Sequence, residues 1–408
     1  VTGRIAWSVV DLGFGDAGKG QTVDELVRAH GVPLVVRFNG GAQAGHNVIA
    51  PDGRHHCFSQ FGAGTFVPGC RTLLSADVLV HPLGMLVEAE HLAAVGVPDA
   101  LARVGVHRSA RVITPYQQAT NHARERARGA APHGTCGVGV GECVADSLAH
   151  DDTIRVGDLA DPSRIRWLLG EQRDRKRAEV EALGQPLDLF DDPALIDRVV
   201  DAWRGWCAAV ESLSEAAWRA RLDAVPRVVF EGAQGVLLDE GYGFHPHTTW
   251  SDCTGRNICE LWDGSRIRLG VTRSYQCRHG AGPLPTEGEV PGATELHNGD
   301  GGWQGRFRVG PLDGMLLRYA LEAMGGVDRI VVRHLDQVSS GRVAVAYDGL
   351  DARFLVDGRL RVGVREDLVW QEALGQALLD ARPRFADVPD IAAWVQEWTD
   401  LPVVPAGR

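Results

Sequence analysis

The chain has 408 residues, 44% of them hydrophobic and 23% charged, enough for a large folded core and unlike a disordered or fibrous chain. Its formal net charge of −11 argues against a nonspecific nucleic-acid or membrane surface, so an anionic substrate would need local clusters of Arg and Lys. No apolar run is long enough to span a bilayer, no leader pattern is evident, and eight cysteines occur without a repeating spacing or a CxxC, which together predict reduced thiols and a cytoplasmic protein.

Residues 5–12 form a mostly apolar run that reads as a buried strand, and 23–29 read as a helix. Between them lies Gly13-Phe14-Gly15-Asp16-Ala17-Gly18-Lys19-Gly20-Gln21-Thr22. Strand, glycine-rich turn, helix is the geometry that sets backbone N–H groups and a helix N-terminus against a phosphate. Gly13-x-Gly15-x-x-Gly18 fits a dinucleotide fingerprint, and Gly13-x-x-x-x-Gly18-Lys19 fits a P-loop. The lysine favours the second, because a transferring γ-phosphate needs an ammonium and a diphosphate bridge does not. The dinucleotide reading also wants an acid at the end of the second strand, but residues 34–38 run into Asn39-Gly40-Gly41. A standard P-loop follows its lysine with Ser or Thr, which holds Mg²⁺; here Gly20 follows. Asp16 can supply the missing oxygen, since a carboxylate among phosphates is costly unless it binds a cation or a reacting proton.

The second landmark is 39–47, Asn39-Gly40-Gly41-Ala42-Gln43-Ala44-Gly45-His46-Asn47, which directly follows the second strand. Ligands of parallel α/β sheets bind beyond the carboxyl ends of strands, so the two loops are expected to share one crevice. His46, the ionisable group of this loop, reads as either catalytic or structural. Residues 54–100 read as alternating strands and helices, with His55-His56-Cys57 structural because neighbours on a strand face opposite ways. A polar helix at 117–128 precedes His133 to Glu142, whose alternate glycines predict a lid, a backbone clamp on an anion, or a linker. Residues 161–222 predict a helical subdomain, with Trp167, Trp203, Trp206 and Trp218 on apolar stripes.

At 228–235 a buried strand again enters a glycine-rich loop, with Glu231 and Gln234 near the expected crevice. His245-Pro246-His247-Thr248-Thr249 reads as a rigid turn presenting its threonines rather than a metal site, for want of a third ligand. Residues 277–287 form another strand exit. Arg306-Phe307-Arg308 sets two guanidiniums on one side of an extended stretch, either for carboxylate or phosphate groups or as a solvated basic edge. Asp336, just past a β-branched strand at 330–332, either accepts from a purine's N1–H and amino group or caps the next turn.

Gly15-Asp16-x-Gly18-Lys19-Gly20, Gly40-Gly41-x-x-Ala44-Gly45-His46, Phe230 to Gln234 and Gly280 to Glu287 together resemble adenylosuccinate synthetase, over nearly the whole chain. The resemblance implies one large α/β domain over 1–408 with a mainly parallel sheet, working as a homodimer. It implies a ligase that joins aspartate to the 6-position of inosine monophosphate at the expense of GTP, with Mg²⁺. Asp16 would then be base and metal ligand, His46 the acid, Lys19 the charge neutraliser, and Gln234 would orient the heterocycle. Gly45 would offer a carbonyl to the metal. GTP would lie along Gly15 to Gln21, Gly45 to Asn47 and Arg308, with its base near His334, Leu335 and Asp336. The substrate positions would be Gln43, Thr135, Cys136 and Thr249 at the nucleotide, and Trp303, Gln304, Arg306 and Arg308 at aspartate. Sequential logic agrees: phosphorylating a lactam oxygen makes it a leaving group that an amine can displace, given a base, a phosphate cradle, a metal and an acid.

The departures concern recognition. Gln43, Cys136 and Val138 stand where the family has Asn, Thr and Arg, and an arginine that reaches across the dimer to the 5′-phosphate falls at His150. Trp303-Gln304 replace two threonines, and His334 replaces the guanine-stacking lysine. The expectation is a paralogue acting on another oxo-heterocycle, or with another amine, in specialised metabolism. The alternatives are ordinary purine synthesis and a nucleotide-binding regulator without turnover.

Overall fold

The computed structural model describes residues 3–129, 133–295, 298–299 and 302–407. The chain divides into two compact units, Val1–Arg4 with Val23–Ala233, and Ile5–Thr22 with Gln234–Arg408. Both are built on parallel strands, so the expected α/β class is observed.

In the first unit the strands Arg227–Gly235, Leu34–Arg37, Arg71–Leu74, Val104–His107 and Glu211–Leu213 lie side by side, each pair parallel. Runs such as Leu34-Val35-Val36 are buried throughout, as a strand covered on both faces requires. Helix Pro115–Ala127 starts at a reciprocal cap between Thr114 and Gln117, with proline in its first turn. Asp161 likewise caps Pro162–Ala182 by accepting from the N–H groups of Ser163 and Arg164. The segment 161–222 holds this helix, Leu195–Ala209, Glu215–Asp223 and the edge strand Glu211–Leu213. Trp203, Trp206 and Trp218 are buried as expected. Trp167 is not: it is 58% exposed, because the buried face of its helix is set by Ile165, Leu168, Leu169 and Gln172. His55 and His56 do face opposite ways, exposed and buried respectively, on the strand His55–Phe58.

In the second unit the parallel order is Val403–Pro405, Arg329–Arg333, Ser265–Arg273 and Ile5–Asp11. A second sheet pairs Tyr275–His279 antiparallel with Phe307–Asp313, followed by Gly341–Asp348 and Arg382–Val388. Helix Lys19–His30 begins at the lysine of the glycine loop, earlier than the periodicity predicts, because the left-handed turn at Gly18 (φ +96°) ends just before it. All eight cysteines are free, and among the described residues no helix is long and apolar enough to cross a membrane.

Candidate active site

The second unit carries the glycine loop. The strand Ile5–Asp11 ends in a buried carboxylate that organises this loop: Asp11 Oδ1 accepts from Gly13 N–H at 2.8 Å, and Oδ2 from Ala17 N–H and Lys19 Nζ, both at 3.0 Å. Three polar groups of the turn thus close on one side chain. Gly235 passes so near that a Cβ there would stand 2.1 Å from Gly13 O, so only glycine fits. Gly20 and Gln21 lie in the first turn of helix Lys19–His30, with N–H groups that an anion can use.

Asp16 adopts φ +58°, a strained value for a residue with a side chain. Its carbonyl accepts from Arg273 Nε at 2.6 Å, and its Oδ2 is 3.4 Å from His279 Nε2. Burial works against its charge, but His279, Arg273 and Lys19 outweigh it and hold the carboxyl below its usual range. Arg273 is itself anchored by Glu295 at 2.9 Å and by the Tyr275 hydroxyl at 2.6 Å. Gln234 accepts a long contact from the Cys253 thiol at 3.9 Å, and its Nε2 is buried without a partner among the described residues. Thr249 is half-buried, its N–H donated to Leu238 O.

Arg306 and Arg308 both reach Glu287, at 2.6 and 2.8 Å. Trp303 is 38% exposed and Gln304 half-buried in the preceding turn. His334 (φ +64°), Leu335 and Asp336 follow the strand Arg329–Arg333. The chain's tail comes alongside, with His334 N–H donating to Gly407 O and Leu335 N–H to Ala406 O, both at 3.2 Å. A Cβ on Gly407 would lie 3.7 Å from the Asp336 carboxyl.

The first unit carries the other loop. His46 opens the short strand His46–Ile49, with both ring nitrogens engaged: Nδ1 is 2.5 Å from Glu231 Oε1 and Nε2 is 3.1 Å from Ala233 O. Glu231 also accepts from Ala63 N–H at 2.9 Å. Burial opposes its charge, yet Arg37, His46 and that N–H hold its carboxyl below the usual range. Asn39 Oδ1 accepts from Ala233 N–H at 2.9 Å and so ties the loop's start to the same strand. Gly45 is exposed, and Asn47 pairs with His55 at 3.0 Å. Both amide atoms of Gln43 are buried without a partner among the described residues.

Thr135 is bonded to Asn121 at 3.0 Å. The Cys136 thiol is pushed up to about 11 by burial. The stretch after it is pinned to the helix Pro115–Ala127, with Gly137 O accepting from His122 at 2.7 Å and from Gln118 at 3.3 Å. Val138 packs against Leu79, Ile113, Val140, Cys143 and Val144. His150 is exposed at the C-terminal end of helix Val140–Ala149.

Asp11, Arg273, His279 and Glu287 shape these surroundings, and sequence reasoning gave none of them a role; Glu231 was noted only by position. An acid ending a buried strand before a glycine loop was the one local signal, at Asp11. Among the described residues no group of three or more His, Cys, Asp or Glu side chains gathers that could hold a metal ion.

A family model described as adenylosuccinate synthetase matches residues 8–359. The chain is 32% identical over 381 residues to the adenylosuccinate synthetase of Chlorobium chlorochromatii, covering 87% of this chain and 81% of that one. It is 33% identical over 358 residues to that of Anaeromyxobacter dehalogenans, covering 85% and 81%. In fold it is similar to a fully ligated adenylosuccinate synthetase from Plasmodium falciparum, with a TM-score of 0.77 at 19% identity over 99% of this chain and 97% of that one. It is also similar to the cyanophage S-2L succinoaminodeoxyadenylate synthetase bound to dGMP and dATP, with a TM-score of 0.58 at 16% identity over 97% and 99%. The chain belongs to the adenylosuccinate synthetase family.

Proposed function

We propose that this protein is a GTP-dependent C–N ligase that phosphorylates a ring carbonyl oxygen and replaces it with the amine of aspartate, on an acceptor other than inosine monophosphate. The family's reaction uses GTP, Mg²⁺ and aspartate. The observation that carries the chemistry is Asp16, ionised and held in a left-handed turn inside a loop that ends in Lys19. A carboxylate in the same loop as a buried ammonium suits a phosphate accompanied by a hard cation. Among the described residues both amide atoms of Gln43 and the Nε2 of Gln234 are buried without a partner, and they offer hydrogen bonds to a polar ligand.

In this reading Asp16 takes the proton of the ring N–H as the ring oxygen attacks the γ-phosphorus, and GDP leaves. The amine then displaces phosphate from the ring carbon. His46 hydrogen-bonds the leaving phosphate by turning its Nε2 from the Ala233 carbonyl, while Glu231 keeps its Nδ1, and Gln234 orients the ring. Asp16 and the Gly45 carbonyl would hold Mg²⁺, which when bound offsets phosphate charge. Arg306 and Arg308 take the amino acid's carboxylate, and Asp336 reads guanine. Assembly as a homodimer belongs to the same proposal and is measured by sedimentation.

The departure from inosine monophosphate is supported by the residues that would meet its 5′-phosphate. A phosphate dianion wants several charge-assisted donors. Gln43 brings a neutral amide, and burial keeps the Cys136 thiol protonated at neutral pH. His150 has no guanidinium fork with which to take two phosphate oxygens. Incubating the protein with GTP, Mg²⁺, aspartate and a panel of purine and non-purine oxo-heterocycles tests this. Phosphate release and the mass of the adduct identify the acceptor, and no phosphate release with any ring would remove the ligase reading.

A further inference from the structure

Arg306 and Arg308 converge on one carboxylate, that of Glu287, each taking a separate oxygen. The turn that carries Glu287 is fixed beside them: its N–H donates to Leu284 O at 2.9 Å, and Gly288 N–H donates to Val309 O at 3.0 Å. A two-oxygen anion therefore already sits where paired guanidiniums would receive the carboxylate of an amino acid. The fork is not saturated by it. Arg308 also donates to Gly282 O at 2.8 Å, but its Nε is buried and has no partner among the described residues. Across the ladder from Arg308 stands Arg278, buried and bonded to the carbonyls of Ala281, Pro283 and His247. Burial and the neighbouring Arg308 both work against its charge, so the cluster favours a further anion.

We propose that Glu287 is an internal placeholder for the amino acid's carboxylate: it occupies the Arg306–Arg308 fork, and the substrate carboxylate binds by displacing it. This rests on the reading that the two arginines receive the amine substrate. Displacement is feasible because the Arg306 half is solvent-exposed, with side-chain exposures of 68% for Arg306 and 37% for Glu287, and such pairs are weak. The Arg308 half, with Arg308 at 12%, is the stronger one. A fork that is free only part of the time binds its ligand more weakly by that fraction. An amine whose side chain has no second carboxylate gains less from ousting Glu287, so the residue also serves selectivity.

The test is calorimetric titration of the full chain and of Glu287→Gln with succinate and with L-aspartate, alongside the KM for aspartate. The expected result is binding of the dicarboxylates tightened by on the order of tenfold in the variant, with a matching fall in KM. In the double variant with Arg306→Gln the gain should disappear. Glu287→Asp, which keeps the charge on a shorter arm, should lie between the two and carries the test if Glu287→Gln does not fold. Unchanged or weaker dicarboxylate binding in Glu287→Gln would make Glu287 a brace for the arginines and overturn the proposal, as would no binding by either protein. Tighter succinate binding without turnover of any ring would uphold the placeholder and sink the ligase reading. Turnover with an unaltered KM for aspartate would do the reverse.

Discussion

The ammonium of Lys19 lies 3.0 Å from Oδ2 of Asp11, with both side chains buried at the foot of the glycine loop. The same carboxylate gathers the N–H groups of Gly13 and Ala17, so it fixes the turn and holds the lysine in place before any phosphate arrives. Asp11→Asn leaves the lysine charge buried without its counter-ion. We expect a loss of about 3–5 kcal/mol in urea unfolding. GTP should restore part of it by supplying an anion to the folded state. A loss below about 1 kcal/mol, within the range of a surface pair, would mean that the pair does not hold the loop.

Asp16→Asn should lower turnover by about 10²–10⁴ while the fold persists, since the loop's shape rests on its glycines and Asp11. The direction of the carboxyl's shift sets the pH profile. The carboxyl is held below its usual range, so the proposed base stays charged as pH falls, and the acid limb that it sets in kcat/KM should lie below that of an ordinary carboxyl. His279→Val removes the hydrogen bond that does most to offset burial, so the limb should move upward. An unmoved limb would show that His279 does not tune the base.

Glu231 predicts an effect on stability. Its carboxyl is lowered in the folded state, chiefly by Arg37 and His46 acting against burial. Its charge therefore adds stability above the unfolded value of about 4.3, and that contribution is lost as pH falls through the lower folded value. Denaturant unfolding between pH 6 and 3 should show a steep acid loss in the natural chain and a flatter one in Glu231→Gln. Parallel curves would remove Glu231 from the acid response.

The first loop was legible because glycine spacing, a lysine and flanking apolar runs are all local signals. Gly18, at φ +96°, accords with them, although the helix begins at Lys19, four residues before the apolar periodicity does. Partner choice was not legible in the same way. Arg273 meets Asp16 from 257 positions away, and Glu231 meets Ala63 N–H from 168, and no periodicity encodes such pairings. Trp167 shows the converse limit. A tryptophan in a charged helix looks like part of the core, but its side of the helix was set by Ile165 and Leu168.

In the proposed reading nucleotide choice centres on Asp336, whose carboxyl has the tail residue Gly407 close by. Adenine has no N1–H to donate, so ATP would leave that carboxylate unpaired. We expect kcat/KM to favour GTP, and Asp336→Asn to reduce the preference by roughly 10–100-fold. Equal use of both nucleotides by the natural chain would show that Asp336 does not read the base. The left-handed His334, in place of a stacking lysine, should leave the preference looser than a lysine would.

The acceptor is the central claim, and one comparison tests it most directly: turnover of inosine monophosphate against inosine, each with GTP, Mg²⁺ and aspartate. With a neutral amide at Gln43 and a protonated thiol at Cys136, the 5′-phosphate would in the proposed reading meet few charged donors. The account predicts poor use of the monophosphate, with inosine or another unphosphorylated oxo-heterocycle preferred. Efficient use of inosine monophosphate alone, at micromolar concentration, would contradict it and return the protein to ordinary purine synthesis.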